Sequence, residues 1–142
     1  MKKVSFTEMK NGTKDDYQLL EKLESQYERK TADRILNYLA SQTTTLEGYQ
    51  ITRLEHSLQA ATRAYKNGEN EEMVVATLLH DLGDELAPMN HSQYAASVIK
   101  PYVSEKTYWI ILHHGLFQTY YSAEHLGGNK NAREKYKDAE HY

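Results

Sequence analysis

The stretch Met73-Val74-Val75-Ala76-Thr77-Leu78-Leu79-His80-Asp81 carries most of the information about the fold. It is a mostly apolar run that suits a short buried helix, and it ends in a histidine joined directly to an aspartate. These two side chains bring an imidazole nitrogen and a carboxylate oxygen within reach of one metal ion or one ion pair. A histidine–aspartate pair is a weak signal alone, so the rest of the sequence decides its meaning.

Apolar residues on both sides of this stretch follow a helical spacing, and no run alternates with the period of two that is typical of strands. Capping residues and glycine or proline mark the ends of the predicted helices. A first predicted helix is capped by Thr13 or Asp15, and Thr31 starts a second over Ala32–Leu39. The next three cover about Thr52–Lys66, Asn70 to about Gly83, and His91–Lys100. A sixth starts at Ser104, and a polar, helical segment follows Gly128. In the third helix, the residues predicted to face the core are Leu54, Leu58, Ala61 and Tyr65. We therefore predict an all-α fold, a single helical bundle of about six to seven helices over residues 1–142.

The composition excludes several classes of protein. Hydrophobic residues make up 39% and charged residues 26% of the chain, as in ordinary globular domains. No segment approaches the roughly 20 apolar residues of a membrane span, and no apolar segment follows Lys2 and Lys3 as in a signal peptide. The net charge of −3 provides no basic surface for nucleic acid. Because cysteine is absent, disulfides and thiolate ligands are excluded, and we predict a cytoplasmic protein. The sequence leaves the oligomeric state open.

Four histidines lie on or at the ends of four successive predicted helices: His56, His80, His91 and His114. Each has an ordinary structural interpretation, such as a hydrogen-bonded core residue, a cation at a helix C-terminus or a surface residue. Taken together they favour a metal site, because inward-facing histidine and carboxylate groups from different helices form the metal sites of helical bundles. His113 and His114 point about 100° apart on a helix, so only one of them is predicted to face the site.

The order of these residues resembles the HD-domain superfamily of metalloenzymes in its dinuclear form. Two segments carry the resemblance, Arg53-Leu54-Glu55-His56-Ser57-Leu58-Gln59 and Leu78-Leu79-His80-Asp81-Leu82-Gly83. They are most similar to the branch of mixed-valent diiron oxygenases that act on organophosphonates, to which myo-inositol oxygenase is distantly related. The resemblance covers about residues 49–121, which implies an HD-like bundle with its metal-binding core in that range.

By position, the resemblance implies that His56, His80 and Asp81 hold a first metal ion and that Asp81 bridges to a second. His91 and His114 would hold that second ion. The implied cofactor is a divalent metal, two irons in the oxygenase branch, with Mn, Mg or Ni as the alternative.

Two departures from the family pattern bear on the substrate. Phosphonate-oxidising members have a histidine four residues after the HD histidine, where this chain has Asp84, and a lysine four residues after the last histidine ligand, where it has Gln118. Both family residues contact the phosphonate, so Asp84 and Gln118 are the candidate catalytic, substrate-contacting residues here. A carboxylate repels an anion unless a cation intervenes, which favours a small polar substrate other than a phosphonate.

A third departure concerns a sixth ligand. Relatives supply a late aspartate to the first metal from a final helix, whereas here only Asp138 follows Gly128, in a charged segment. We therefore expect the C-terminal ligand helix to be absent and the first metal to have an open or solvent-filled position.

Three functions remain open on this evidence. The resemblance favours a dinuclear iron oxygenase-like enzyme, in which iron and O₂ cleave a C–H bond. The alternative is a metal-dependent phosphohydrolase, in which Mn, Mg or Ni polarises a phosphoryl oxygen and generates hydroxide, with Arg53 and Arg63 as the nearest cationic candidates. The third is a metal-binding or interaction protein without turnover.

Overall fold

The computed structural model describes residues 2–142, and within them every regular element is helical. Six α-helices are present: α1 (Lys14–Glu28), α2 (Thr31–Ser41), α3 (Arg53–Lys66), α4 (Glu71–Leu79), α5 (His91–Ile99) and α6 (Glu105–Gln118). No strand occurs in residues 2–142. The predicted all-α fold is therefore confirmed. Across the same residues, no helix is both long and apolar enough to cross a membrane.

The chain divides into two compact units, one that ends at Ser41 and one that covers Gln42–Tyr142. In the first unit, α1 begins where predicted, because Thr13 and Asp16 form a reciprocal capping box. The Asp16 carboxylate also accepts hydrogen bonds from the backbone N and the Oγ of Ser5, at 2.8 and 2.9 Å. The backbone amides of Ser5 and Thr13, with the Thr13 hydroxyl, hold the pKa of Asp16 well below its usual range. One side chain thus joins the N-terminal segment to the start of α1.

In the second unit, α3 packs on α4, α5 packs on α6, and α4 contacts α6. Small side chains allow these helices to approach closely, since Ala76, Ala95 and Ala96 have no solvent exposure. The larger buried apolar residues of this unit are Leu79, Leu82, Ile99 and Ile111. This core surrounds the C-terminal end of α4, where His80 and Asp81 follow.

The structure corrects the predicted core face of α3. Leu58 and Tyr65 were predicted to face inward, but they are 50% and 73% exposed. The buried stripe is Arg53, Ser57 and Ala61, which have an i, i+4, i+8 spacing. Small Ser57 and Ala61 permit close packing against α4, which the bulk of Leu58 would prevent. Ala61 is buried as predicted, but the rest of the buried stripe runs through Arg53 and Ser57 rather than through Leu54 and Leu58.

A carboxylate joins the N-terminal ends of α4 and α6. Glu72 accepts hydrogen bonds from the backbone N and Oγ of Ser104, at 3.1 and 2.6 Å, and from the hydroxyl of Thr107. The hydrogen bond from the Ser104 hydroxyl is the main reason that the pKa of Glu72 lies below its ordinary value. Ser104 also caps α6 through the backbone N of Thr107. Helices α4 and α6, which carry His80 and His114 near their other ends, are thus connected at their starts.

The last residues form short 3₁₀ turns and a cluster of aromatic rings on α6. Trp109 contacts the rings of His113 and Tyr136, with centroids 4.6 and 5.9 Å apart, and His113 lies 4.4 Å from Tyr136. Phe117 and Tyr142 extend this C-terminal aromatic cluster. The polar helical segment predicted after Gly128 contains a short 3₁₀ helix over Ala132–Tyr136.

Candidate metal centre

Four elements of the second unit each bring one histidine to a common point. His56 lies in the first turn of α3, whose start is set by the Thr52–Glu55 capping box. His80 ends α4, His91 is the first residue of α5, and His114 lies in the last turns of α6. Asp81 follows His80 directly and lies at the centre of this group.

The two oxygens of Asp81 each face two imidazole Nε2 atoms. Its Oδ2 lies 3.0 Å from Nε2 of His56 and 3.1 Å from Nε2 of His80. Its Oδ1 lies 3.1 Å from Nε2 of His114 and 3.7 Å from Nε2 of His91. Within residues 2–142, two groups of three side chains are placed to hold a metal ion, and they are the only such groups. His56–His80–Asp81 forms the first half of the centre, and Asp81–His91–His114 forms the second half.

Backbone carbonyls orient two of the rings. Nδ1 of His80 lies 2.7 Å from the carbonyl oxygen of Thr77, and Nδ1 of His114 lies 2.7 Å from that of Ile111. Because a carbonyl oxygen only accepts, both Nδ1 atoms carry the proton. In the neutral rings, Nε2 then has a lone pair that points at the Asp81 carboxylate. A hydrogen bond from Nδ1 to a backbone carbonyl is the usual support for a histidine that binds a metal through Nε2.

These donor atoms fit a cation between them. Without one, the Nε2 lone pair of neutral His80 faces the Asp81 carboxylate at 3.1 Å, and Nε2 of His56 lies only 3.3 Å from Nε2 of His80. Ligand atoms about 2.1 Å from a metal lie about 3.0–3.4 Å apart at bond angles of about 90–110°. The separations within each half are close to that range, and imidazole with carboxylate suits divalent zinc, iron, nickel or manganese.

Asp81 is held in its charged form. Burial by itself raises the pKa of this carboxyl group, but the hydrogen bonds that His114, His56 and His80 donate when their Nε2 atoms are protonated outweigh burial and hold the pKa well below the usual range. Asp81 is 8% exposed. A buried carboxylate of this kind requires compensating positive charge, which imidazolium protons or metal ions can supply.

Arg53 and Asp84 form an ion pair beside the centre. Arg53 Nη1 lies 3.0 Å from Asp84 Oδ2 and 4.0 Å from Asp81 Oδ2. Arg53 is only 5% exposed, and its guanidinium lies over the ring of Tyr49 at 4.6 Å. A cation therefore lies beside Asp84, which the sequence argument named as the condition under which Asp84 would not repel an anion. Repulsion of an anion by Asp84 is correspondingly weaker than its sequence position suggested.

Two glycines allow α5 to approach the centre. A Cβ on Gly83 would lie 2.9 Å from both the Cα and the carbonyl oxygen of His91. A Cβ on Gly115 would lie 2.8 Å from Ser92 Oγ and 3.6 Å from the ring of His91. Gly83 and Gly115 thus leave the space in which His91 sits. The sequence predicted Gly83 only as the approximate end of a helix, although it lies two residues after Asp81, and Gly115 directly follows His114.

Other predicted residues lie outside the cluster. His113 points into the C-terminal aromatic cluster, where burial and the nearby charge of Lys135 lower its pKa. Only His114 of the pair faces the centre, as predicted from helix geometry. Gln118 is exposed at the end of α6, one turn beyond His114. Asp138 is exposed and belongs to neither half of the centre within the described chain.

The family model for the HD domain matches residues 53–140, more than half of the sequence. The chain belongs to the HD domain family. This membership, together with the two histidine–aspartate groups, supports divalent metal binding in a superfamily of metal-dependent hydrolases and oxygenase-like enzymes.

A short similarity points to one curated protein of this kind. Over 36 residues the chain is 53% identical to the (1-hydroxy-2-(trimethylamino)ethyl)phosphonate dioxygenase (glycine-betaine-forming) of Leisingera caerulea. The match covers 25% of this chain and 18% of the dioxygenase, so it spans less than one fifth of that protein.

Proposed function

We propose that this HD domain protein holds two metal ions that share the Asp81 carboxylate. The first ion would be bound by His56, His80 and Asp81 Oδ2, and the second by Asp81 Oδ1, His91 and His114. The observation that carries this proposal is the two-sided arrangement of Asp81, in which each oxygen faces its own pair of Nε2 atoms. A mononuclear site would need only one of these pairs.

An oxygenase-like reaction with iron as the metal is favoured by the sequence motifs and by the 36-residue similarity to a phosphonate dioxygenase. When bound, the two irons would supply redox chemistry toward O₂ and a substrate C–H bond. The chain itself would contribute the bridging carboxylate, the fixed Nε2 donors and a partly open side, since His56 and His91 have side chains 34% and 29% exposed. Similarity to a phosphonate dioxygenase supports this branch.

Charge at the centre favours a small polar substrate other than a phosphonate. Arg53 is the one arginine or lysine of residues 2–142 that forms an ion pair with Asp81 or Asp84, and Asp84 already neutralises it. A phosphonate bound there would depend on the metal ions for charge compensation, because Arg53 is already paired. Gln118, one turn beyond His114, is a substrate contact implied by the family resemblance. The resemblance implies the same for Asp84, but Arg53 already holds one of its two oxygens.

The competing proposal is a metal-dependent phosphohydrolase that uses Mn, Mg or Ni. Its specific support is Arg53, whose guanidinium lies 4.0 Å from Asp81 Oδ2 and could contact a phosphoryl oxygen if it left Asp84. A metal would then polarise that oxygen and activate water.

Elemental analysis of protein purified without oxygen and without added metal separates these functions. About two irons per chain, with a mixed-valent electron paramagnetic resonance signal, would support the oxygenase. Manganese or magnesium with hydrolysis of a generic phosphate ester would support the hydrolase. Protein that binds no metal when iron, manganese or nickel is supplied, at unchanged thermal stability, would contradict both.

A further inference from the structure

We propose that Asp84 is a positioning residue that orients the ring of His91. This role differs from a substrate contact and depends on the proposed function only for the metal that His91 would bind. The orientation of the ring itself can be measured in protein without metal.

The starting observation is a difference among the histidines of the centre. His80 and His114 are each fixed by a carbonyl of their own helix, three residues earlier. His91 is the first residue of α5, so its own helix provides no earlier carbonyl. In the described chain, no backbone carbonyl accepts a hydrogen bond from its Nδ1, and the group that faces Nδ1 is Asp84 Oδ1 at 3.9 Å.

Asp84 is itself firmly held. Its Oδ2 accepts a hydrogen bond from Nη1 of the buried Arg53 at 3.0 Å, and its backbone N donates to the carbonyl of Asp81 at 3.0 Å. One oxygen is therefore anchored, and the other is directed toward His91. A shift of about 1 Å in the His91 ring would bring Nδ1 within hydrogen-bonding distance of Oδ1.

Orientation of the His91 ring by Asp84 also determines the direction in which Nε2, the metal-binding nitrogen, points. With Nδ1 protonated and turned to Asp84, Nε2 of His91 is left as an acceptor. In the metal-free protein Nε2 lies 3.3 Å from Ser92 Oγ, whose hydroxyl can donate to it, and 3.7 Å from Asp81 Oδ1. A carboxylate that accepts from the far nitrogen of a metal-binding histidine fixes its tautomer and makes it a stronger donor. Arg53, Asp84 and His91 thus form a chain of contacts that supports the second half of the centre.

The direct test is the tautomer of His91 in metal-free protein, read from the ¹⁵N chemical shifts of its ring. We expect the Nδ1–H form in the wild type and a mixture of tautomers in Asp84→Ala. In Asp84→Asn we expect a shift toward the Nε2–H form, because Arg53 would hold the single amide oxygen and leave the amide NH₂ to donate to Nδ1. Glu85→Ala is the matched control, because Glu85 is the neighbouring exposed acid, bonded only by Thr44 at 3.2 Å. His91 shifts that are the same in Asp84→Ala and the wild type would overturn the proposal.

Calorimetric titration with Mn²⁺ gives the second readout. Asp84→Ala should weaken one of two Mn²⁺ sites by about 10–100-fold. Its titration should resemble that of His91→Ala rather than that of His56→Ala. Two sites of wild-type affinity in Asp84→Ala would contradict the proposal.

Loss of Asp84 leaves Arg53 buried without its partner, which can impair folding on its own. The double variant Arg53→Met/Asp84→Ala removes both charges and should fold while still releasing His91. If it folds with the wild-type His91 tautomer, Asp84 does not orient the ring. If the wild type binds no Mn²⁺ but its His91 tautomer depends on Asp84, the proposed function fails while the positioning role stands.

Discussion

Gly83 lies against the backbone of His91, so closely that a methyl group on Gly83 would stand 2.9 Å from the His91 Cα. The turn that follows His80–Asp81 therefore contacts the start of α5 with no side chain between them. This contact brings the two halves of the candidate metal centre together, because Asp81 precedes Gly83 by two residues.

Gly83→Ala should displace His91 from the centre. Its Cβ would meet backbone atoms, which cannot rotate away, so we expect a loss of about 1–3 kcal/mol in unfolding free energy, typical of overpacking. Gly115→Ala is the comparison, because its Cβ would meet the Ser92 hydroxyl, which can rotate. Urea denaturation measures both variants. Equal stability of Gly83→Ala and the wild type would show that α5 is free to move away.

Removal of the central dipeptide should abolish metal binding. Both His80→Ala and Asp81→Ala remove a donor from the first half of the centre, and Asp81→Ala also removes the donor shared with the second half. We expect metal per chain to fall to background in Asp81→Ala, measured by inductively coupled plasma mass spectrometry after desalting. His125→Ala, which alters an exposed histidine outside both groups, should retain the wild-type metal content. Unchanged metal in Asp81→Ala would refute the site.

Glu72 should contribute to stability above its ordinary pKa of 4.5 and lose that contribution in acid. Because folding lowers the pKa of Glu72, the unfolded chain binds its proton first as the pH falls. The contribution is thus complete above about 4.5 and disappears as the pH falls through the lower folded value. Glu72→Gln should lower Tm at pH 7 and reduce the difference in Tm between pH 7 and pH 3.

Glu71→Gln is the matched control for that experiment, since Glu71 is exposed in the same first turn of α4. Its Tm should follow the wild type across the pH range. A parallel pH dependence in Glu72→Gln and the wild type would mean that the link between α4 and Ser104 does not stabilise the fold.

Trp109 should report the docking of the C-terminal turns. Tyr136→Ala removes two ring contacts, one to Trp109 and one to His113, and aromatic pairs contribute about 0.5–1.5 kcal/mol each beyond buried area. We expect a red shift of the single tryptophan's emission and a lower Tm. Tyr121→Ala, 80% exposed, should leave the emission unchanged. An unshifted spectrum in Tyr136→Ala would show that the last turns do not shield Trp109.

The helices were predictable because their signals are local. Thr13, Thr52, Asn70 and Ser104 accept from backbone amides where the sequence placed helix starts. The face of α3 was not predictable, because burial there depends on which side chains let α4 approach. Leu58 is more apolar than Ser57, yet Ser57 is the residue that fits.

The candidate site was likewise predictable in part from the sequence, and the rest depended on the tertiary structure. Sequence alone determined which histidines and which aspartate to consider, because the metal-binding chemistry of imidazole and carboxylate belongs to the residues themselves. It also determined that His113 and His114 cannot both face one point, because that follows from the period of the helix. The tertiary structure decided that Asp81 faces one pair of histidines with each oxygen and that Asp84 pairs with Arg53, 31 residues away. It also decided that Gly83 and Gly115 make room for His91. Such relationships depend on distances between elements far apart in sequence, and only the packing of α3, α4, α5 and α6 sets those distances.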